Sequence, residues 1–354
     1  MKKVLILLLA SIFIFAACSN GNSKPEEPAQ TPASTTTTTG TENSGSSTGS
    51  GEDGGNTGTE NSGTEGSGGE EENGGSEGSG GEVTGNFLQT GYKKTGTQNI
   101  NGWEYDLVTF GNFPQSEKDS NVTVSTTATN VNGFTCYKGD DDEWYVNLDS
   151  KYYKVEPIKW RVLTTDYNGT GKELLLAENI LINKPYDDDS NSYSDSTIRA
   201  YLTGDFLTTA FTQAEQDAIV TTTVINNARS TNPDDILEEW NNGENQYASD
   251  TPTSDKIFLL SLQEATKTYY GFAAYDQEGI DNTRIRMTTD FAKANGAFQN
   301  STTAGYGGYW WLRSPYCHKS GSARSVSSSG YADNDGGVYY DEVGVVPALW
   351  LNEN

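Results

Sequence analysis

Two short runs close the chain: Tyr309-Trp310-Trp311-Leu312-Arg313-Ser314-Pro315 and Gly344-Val345-Val346-Pro347-Ala348-Leu349-Trp350. Both are aromatic and apolar, as buried strands are. Between them, residues 316–341 hold six Ser, four Tyr, four Gly, three Asp and one Asn, with no Leu, Ile, Phe, Met or Pro. Tyr offers rigid amphipathic contact area while Ser, Gly and Asn adapt their hydrogen bonds, the mixture that binding loops favour. An ordinary polar surface loop has the same composition.

Further elements lie upstream. Trp103 to Phe110 alternates as a strand and predicts a turn at Gly111-Asn112. Ile158 to Leu163 and Glu173 to Ile182 read as a strand pair around Asn168-Gly169. Ile198, Tyr201, Leu202 and Phe206 keep helical spacing after Asp195. Thr212 with Glu215, and Ser261 with Glu264, are capping-box signatures, the second directly after the apolar strand Ile257 to Leu260. Thr289 to Asn295 predicts a short helix stopped at Gly296. Strands at both ends with helices between make residues 86–354 one α+β domain.

Residues 19–85 hold 18 Gly and 12 carboxylates against three apolar side chains. Nothing there buries a face, so a disordered acidic stalk is expected; its 67 residues would span roughly 45 Å. Lys2 and Lys3 precede the apolar run Val4 to Ala17 and then Cys18, the pattern of a signal peptide over residues 1–18. Phe15-Ala16-Ala17-Cys18 resembles a bacterial lipobox, which implies acylation of Cys18 and a lipid anchor. The whole chain carries −26, and the part after the stalk still carries −17, so nucleic acid is excluded as a partner.

The pair of C-terminal runs resembles the signature of a large family of bacterial secreted domains. Together with lipobox and polar stalk it resembles more closely the variable surface lipoproteins of treponemes, which belong to diversity-generating retroelements. The resemblance implies a C-type-lectin-like fold, related to formylglycine-generating enzyme, with N- and C-terminal strands paired. It implies localisation by a lipid anchor to the bacterial outer membrane, surface-exposed, and an unknown extracellular ligand, protein or glycan. In that group adenines of the variable codons are randomised, and a rigid frame presents the resulting side chains. The display set carried over is Tyr316, Cys317, His318, Ser320, Ser325, Ser327, Ser328, Ser329, Tyr331, Asp333, Asn334, Asp335, Tyr339 and Tyr340. Trp310, Trp311, Val326 and Val346 would be buried frame, with Trp310 or Trp311 lining the pocket as the alternative. In Ala323-Arg324-Ser325-Val326-Ser327, Ala323 and Val326 would face inward and their polar neighbours outward, which needs a bulge.

Other chemistries find less support. One histidine leaves no His cluster for a transition metal, and Cys317 and His318 are sequence neighbours rather than a pair assembled by the fold. Formylglycine-generating relatives use two cysteines near this region, where this chain has only Cys317. The motifs of calcium-dependent sugar lectins are missing: Glu156-Pro157 is followed by Ile158. Asp140-Asp141-Asp142 and Asp187-Asp188-Asp189 lack the spaced ligands of a calcium loop and read as solvated turns. No cofactor or metal is expected and the reading is of a non-enzyme, with two alternatives. One is a cell-envelope hydrolase built on a carboxylate pair; the other is an invariant carbohydrate- or peptide-binding lipoprotein. Cys136 and Cys317 are expected as free thiols, although the compartment would permit a disulfide.

Overall fold

The computed structural model describes residues 91–166, 170–226, 251–275, 280–316, 319–332 and 334–352, all within the second of the chain's two units, Gly78–Asn354. The signal peptide, Cys18, the stalk, Asn168-Gly169, Cys317, His318 and Asp333 lie outside the described residues.

The fold is α+β and rich in strands. Seven strands open it: β1 (Lys93–Ile100), β2 (Trp103–Glu117), β3 (Val124–Val131), β4 (Phe134–Gly139), β5 (Trp144–Leu148), β6 (Lys151–Thr164) and β7 (Lys172–Ala177). The short strands β8 (Asn179–Ile180), β9 (Ile182–Asn183), β10 (Thr222–Val224), β11 (Thr253–Asp255), β12 (Ile257–Phe258) and β13 (Met287–Thr288) follow. The chain ends with β14 (Trp310–Pro315), β15 (Ser322–Val326), β16 (Asn334–Gly337), β17 (Gly344–Val345) and β18 (Ala348–Asn352).

β6 is the hub of a nine-stranded sheet. One edge pairs with β2, and β5 and β7 share the other. Trp160 fixes the hub: its indole is fully buried and Nε1 donates to the Phe110 carbonyl at 2.7 Å. β7 is buried from Glu173 to Ala177, and β18 docks along it with Leu349 opposite Leu175. Both faces of these strands are covered, which is why they read as continuous apolar runs.

The expected pairing of first and last strands is corrected here. β1 pairs only with β2, and β6 and β7 stand between β2 and β18. The sequence shows which segments are apolar but not their neighbours, because pairing is decided by which edges meet on folding. Gly111-Asn112 is likewise not a turn. β2 runs through it with a shift of register between Thr109 and Asn112. Gly111 (φ +69°) makes room for Phe211, whose ring would lie 2.4 Å from a Cβ there. Glycine in a strand marks a bulge as readily as a turn.

The predicted β6–β7 pair forms, and both capping boxes form in full. Helix Asp290–Ala294 starts at the Thr289 cap and ends before Gly296 (φ +110°). The Ile198–Phe206 spacing belongs to a helix of Thr197–Tyr201, a π-turn Leu202–Phe206 and Leu207–Ala210. Phe113, Phe206, Phe211 and Phe291 interlock in the core beneath it. No helix among the described residues is long and apolar enough to cross a membrane.

Candidate functional site

A second sheet, in the order β16-β15-β14-β17-β9, carries the polar window. Its centre is built by the two signature runs, which meet where Trp310 lies parallel to Gly344. Gly344 leaves room for Ile180 against this junction, since a Cβ would fall 2.4 Å from Ile180 Cγ2. Trp310 and Trp311 are fully buried; their Nε1 atoms donate to the Arg284 carbonyl (3.1 Å) and the Lys184 carbonyl (2.9 Å). Val326 and Val346 are buried as well.

Arg313 and Ser314 of the first run are internal fastenings. Arg313 donates to the Glu264 carboxylate and, at 2.7 Å, to the Leu259 carbonyl. Ser314 Oγ accepts the Leu262 amide at 2.8 Å. Burial by itself would raise the Glu264 pKa; the Arg313 charge and the bonds from Ser261 and Arg313 overcome it and hold the carboxyl below its ordinary value.

One polar residue organises the near end of the window. Asn191 is buried, and its Nδ2 donates to the carbonyls of Tyr316 (3.0 Å), Lys319 (3.1 Å) and Ser322 (2.8 Å), while its amide donates to Ser320 (2.7 Å). Val338 closes the same end: its amide donates to the Gly321 carbonyl and its own carbonyl accepts from Tyr186 and Asp187. Sequence reasoning missed Asn191. It sits beside the acidic run Asp187-Asp188-Asp189, with nothing in its neighbours to mark a clamp on a segment 125 residues away.

Outside this clamp stand Tyr339, 63% exposed, and Tyr340, 41% exposed, edge to face at 5.0 Å. Tyr339 folds back over Gly337. The Tyr339 phenol beside it, then burial, then Glu342 and Asp335 push the Tyr340 pKa up, so this phenol stays protonated and can donate. Ser320 and Asp335 are exposed nearby. Tyr316 is half-buried, with the Arg324 guanidinium 4.7 Å from its ring centre.

The far end lies one strand length away, roughly 13 Å along β15. The Ser327 amide donates to the Tyr331 carbonyl, and the Ser327 and Ser329 hydroxyls share a 3.0 Å bond. Ser327, Ser329 and Tyr331 are half-buried there. The fold therefore divides the display set between two ends.

Two members do not belong to it. Ser325 is 1% exposed and Ser328 6%, so both are buried. The expected alternation fails with them: Ser322 to Val326 are all buried, Arg324 included. β15 is covered on both faces, so facing outward from the strand is not facing water. The bulge falls on β14, between Trp311 and Pro315, instead of on β15. Asn334 joins β16, and its side chain lies outside the described residues.

Three buried carboxylates elsewhere are tied to structural partners. Asp255 receives Arg199 at 2.7 Å, Asp281 lies 3.3 Å from Arg284, and Glu215 completes the capping box of Thr212. Among the described residues no group of three or more His, Cys, Asp or Glu is placed to hold a metal ion. Cys136 is a free, buried thiol, which burial pushes up to about 12. Asp187 spends its carboxylate on the amides of Thr197 and Ser190.

No curated protein and no solved structure matches the chain. A family model, Domain of unknown function (DUF6273), matches residues 170–353, from the start of β7 through β18, with the whole window and both signature runs inside it. With more than half of its length matched, the chain belongs to this family.

Proposed function

We propose that this chain is a lipid-anchored protein of the bacterial outer surface that displays a variable ligand-binding face on a C-type-lectin-like scaffold. One observation carries the reading: the window is held largely by main-chain atoms. Asn191 binds three window carbonyls, the Val338 carbonyl accepts from the frame amides of Tyr186 and Asp187, and the Asp281 amide donates to the Ser329 carbonyl. A backbone fixed in this way keeps its shape when exposed side chains change. The hydrolase alternative loses ground because several of the buried acids are already paired with arginine.

The exposed phenols are the anchors of the near face. Full-length chain is to be applied to an array of immobilised matrix proteins and mucin glycans, beside the Tyr339→Ala/Tyr340→Ala variant. The variant should lose at least about tenfold in affinity, a common effect of removing aromatic anchors. Its melting temperature should stay within about 2 °C of the parent, because both rings are substantially exposed. Equal binding by the two proteins would remove the phenols from the site. At the gene level, sister copies should differ at codons for Tyr316, Ser320, Asp335, Tyr339 and Tyr340 and agree at Ala323, Val326, Ala332 and Val338, which are buried. For the anchor, Cys18→Ser should abolish palmitate labelling and release the protein from the membrane fraction. Unchanged labelling would show that acylation is elsewhere or absent.

A further inference from the structure

A second aromatic site lies on the first hairpin, and none of its lining residues belongs to the window. Trp103 follows the Asn101-Gly102 turn, where φ is +55° and +87°. It is 40% exposed but fixed, because Gly271 lies against the indole: a Cβ there would meet Trp103 Cγ at 2.6 Å. Gly271 (φ +77°) ends the 3-10 turn Thr268–Tyr270. Tyr105 ties the same turn to β2, since its hydroxyl donates to the Tyr270 carbonyl at 3.1 Å. Tyr269, in that turn, is 63% exposed. An open cleft of about 310 Å³ separates Trp103 from Tyr269, and Glu104, Asp106, Thr164 and Thr165 line its sides. A second cleft of about 360 Å³ shares Trp103 as a wall and reaches Asn101, Thr268 and Thr283.

Two exposed rings on a rigid support, rimmed by acceptors and hydroxyls, select a ligand with one apolar face and a polar edge. A pyranose ring is such a molecule: its C–H face stacks on an aromatic ring, and its hydroxyls donate to carboxylates. A wholly apolar ligand would cover Glu104 without offering it a donor. An anionic one would meet Glu104 and Asp106 on a chain of net −26. A cation would compete with Lys94, already 3.5 Å from Asp106. Two clefts sharing one tryptophan suit consecutive residues of a chain. We propose that Trp103 and Tyr269 form a binding subsite for a neutral oligosaccharide that crosses the Trp103 indole.

The test titrates full-length chain with cellohexaose, laminarihexaose, mannohexaose and chitohexaose, read by tryptophan fluorescence and calorimetry. At least one hexaose is expected to bind with a Kd between about 1 µM and 1 mM. Trp103→Ala should weaken it at least about tenfold, Tyr269→Ala about three- to tenfold, and Trp103→Tyr should retain most of the affinity. Tyr339→Ala/Tyr340→Ala should bind the hexaose as the parent does, so failure here and failure of the window are separate results. No binding by any hexaose at about 5 mM overturns the proposal. Parental affinity in both alanine variants overturns it too, as does fluorescence protection by choline in place of a sugar.

Discussion

Arg313→Ala is expected to destabilise the domain by about 3–5 kcal/mol, the usual cost of stripping one partner from a buried ion pair. The guanidinium is almost wholly inside and meets the Glu264 carboxylate, the Leu259 carbonyl and, at 3.4 Å, the Ile225 carbonyl. Its removal strands a carboxylate that also caps the Leu262–Ala265 helix through the Ser261 amide. Urea unfolding followed by circular dichroism measures the loss. Glu264→Gln combined with Arg313→Met should recover part of it, since no charge is then left unpaired. A loss below about 1 kcal/mol would show that the pair contributes little.

The same pair sets an acid limit. The Glu264 pKa is lower in the folded chain than in the unfolded one. Its contribution is therefore complete above the unfolded carboxylate value near 4.3 and disappears as pH falls through the folded value. The parent should lose this part of its stability below about pH 4. In Arg313→Ala burial has no opposing charge, so the Glu264 pKa rises and the penalty shrinks on acidification. A penalty constant from pH 7 to about pH 4 would exclude the mechanism.

Gly330→Ala comes next in size, at about 2–5 kcal/mol, combining left-handed backbone strain with overpacking. Gly330 has φ +84°, and a Cβ there would lie 2.1 Å from the Asp281 carbonyl oxygen. Its own carbonyl accepts from Arg284 Nε at 2.6 Å, so displacing the loop also disturbs a buried arginine. Thermal melts of Gly330→Ala and Ser320→Ala make the comparison. Both positions lie within the window, yet only the glycine variant should shift, by about 4–20 °C. Equal shifts would deny the distinction between frame and display. Gly330 should also be invariant among sister copies even if its neighbours change.

The signature runs announced themselves by aromatic and apolar composition, and both capping boxes by their i, i+3 pairs, because these are local patterns with local causes. The bulge at Gly111 was hidden: its cause is the Phe211 ring, 100 residues along the chain, and a glycine in sequence is equally a turn. Ser325 and Ser328 read as display residues because serine is polar. Their burial, one within β15 and one just after it, depends on tertiary packing, which no window of neighbouring residues records. Arg313 read as part of a motif, while its partner Glu264 read as a helix cap; only packing made them one device.

The sequence by itself determined that apolar strands enclose a polar stretch of 26 residues, that the helices are short and capped, and that the fold is α+β. Those properties follow from periodicity and composition, which act over a few residues. The tertiary structure alone decided that β6 and β7 separate the first and last strands, that Asn191 clamps the window, and that its polar residues divide into exposed and buried sets. Each depends on contacts between segments far apart in the chain, and burial is a property of what covers a residue, not of the residue.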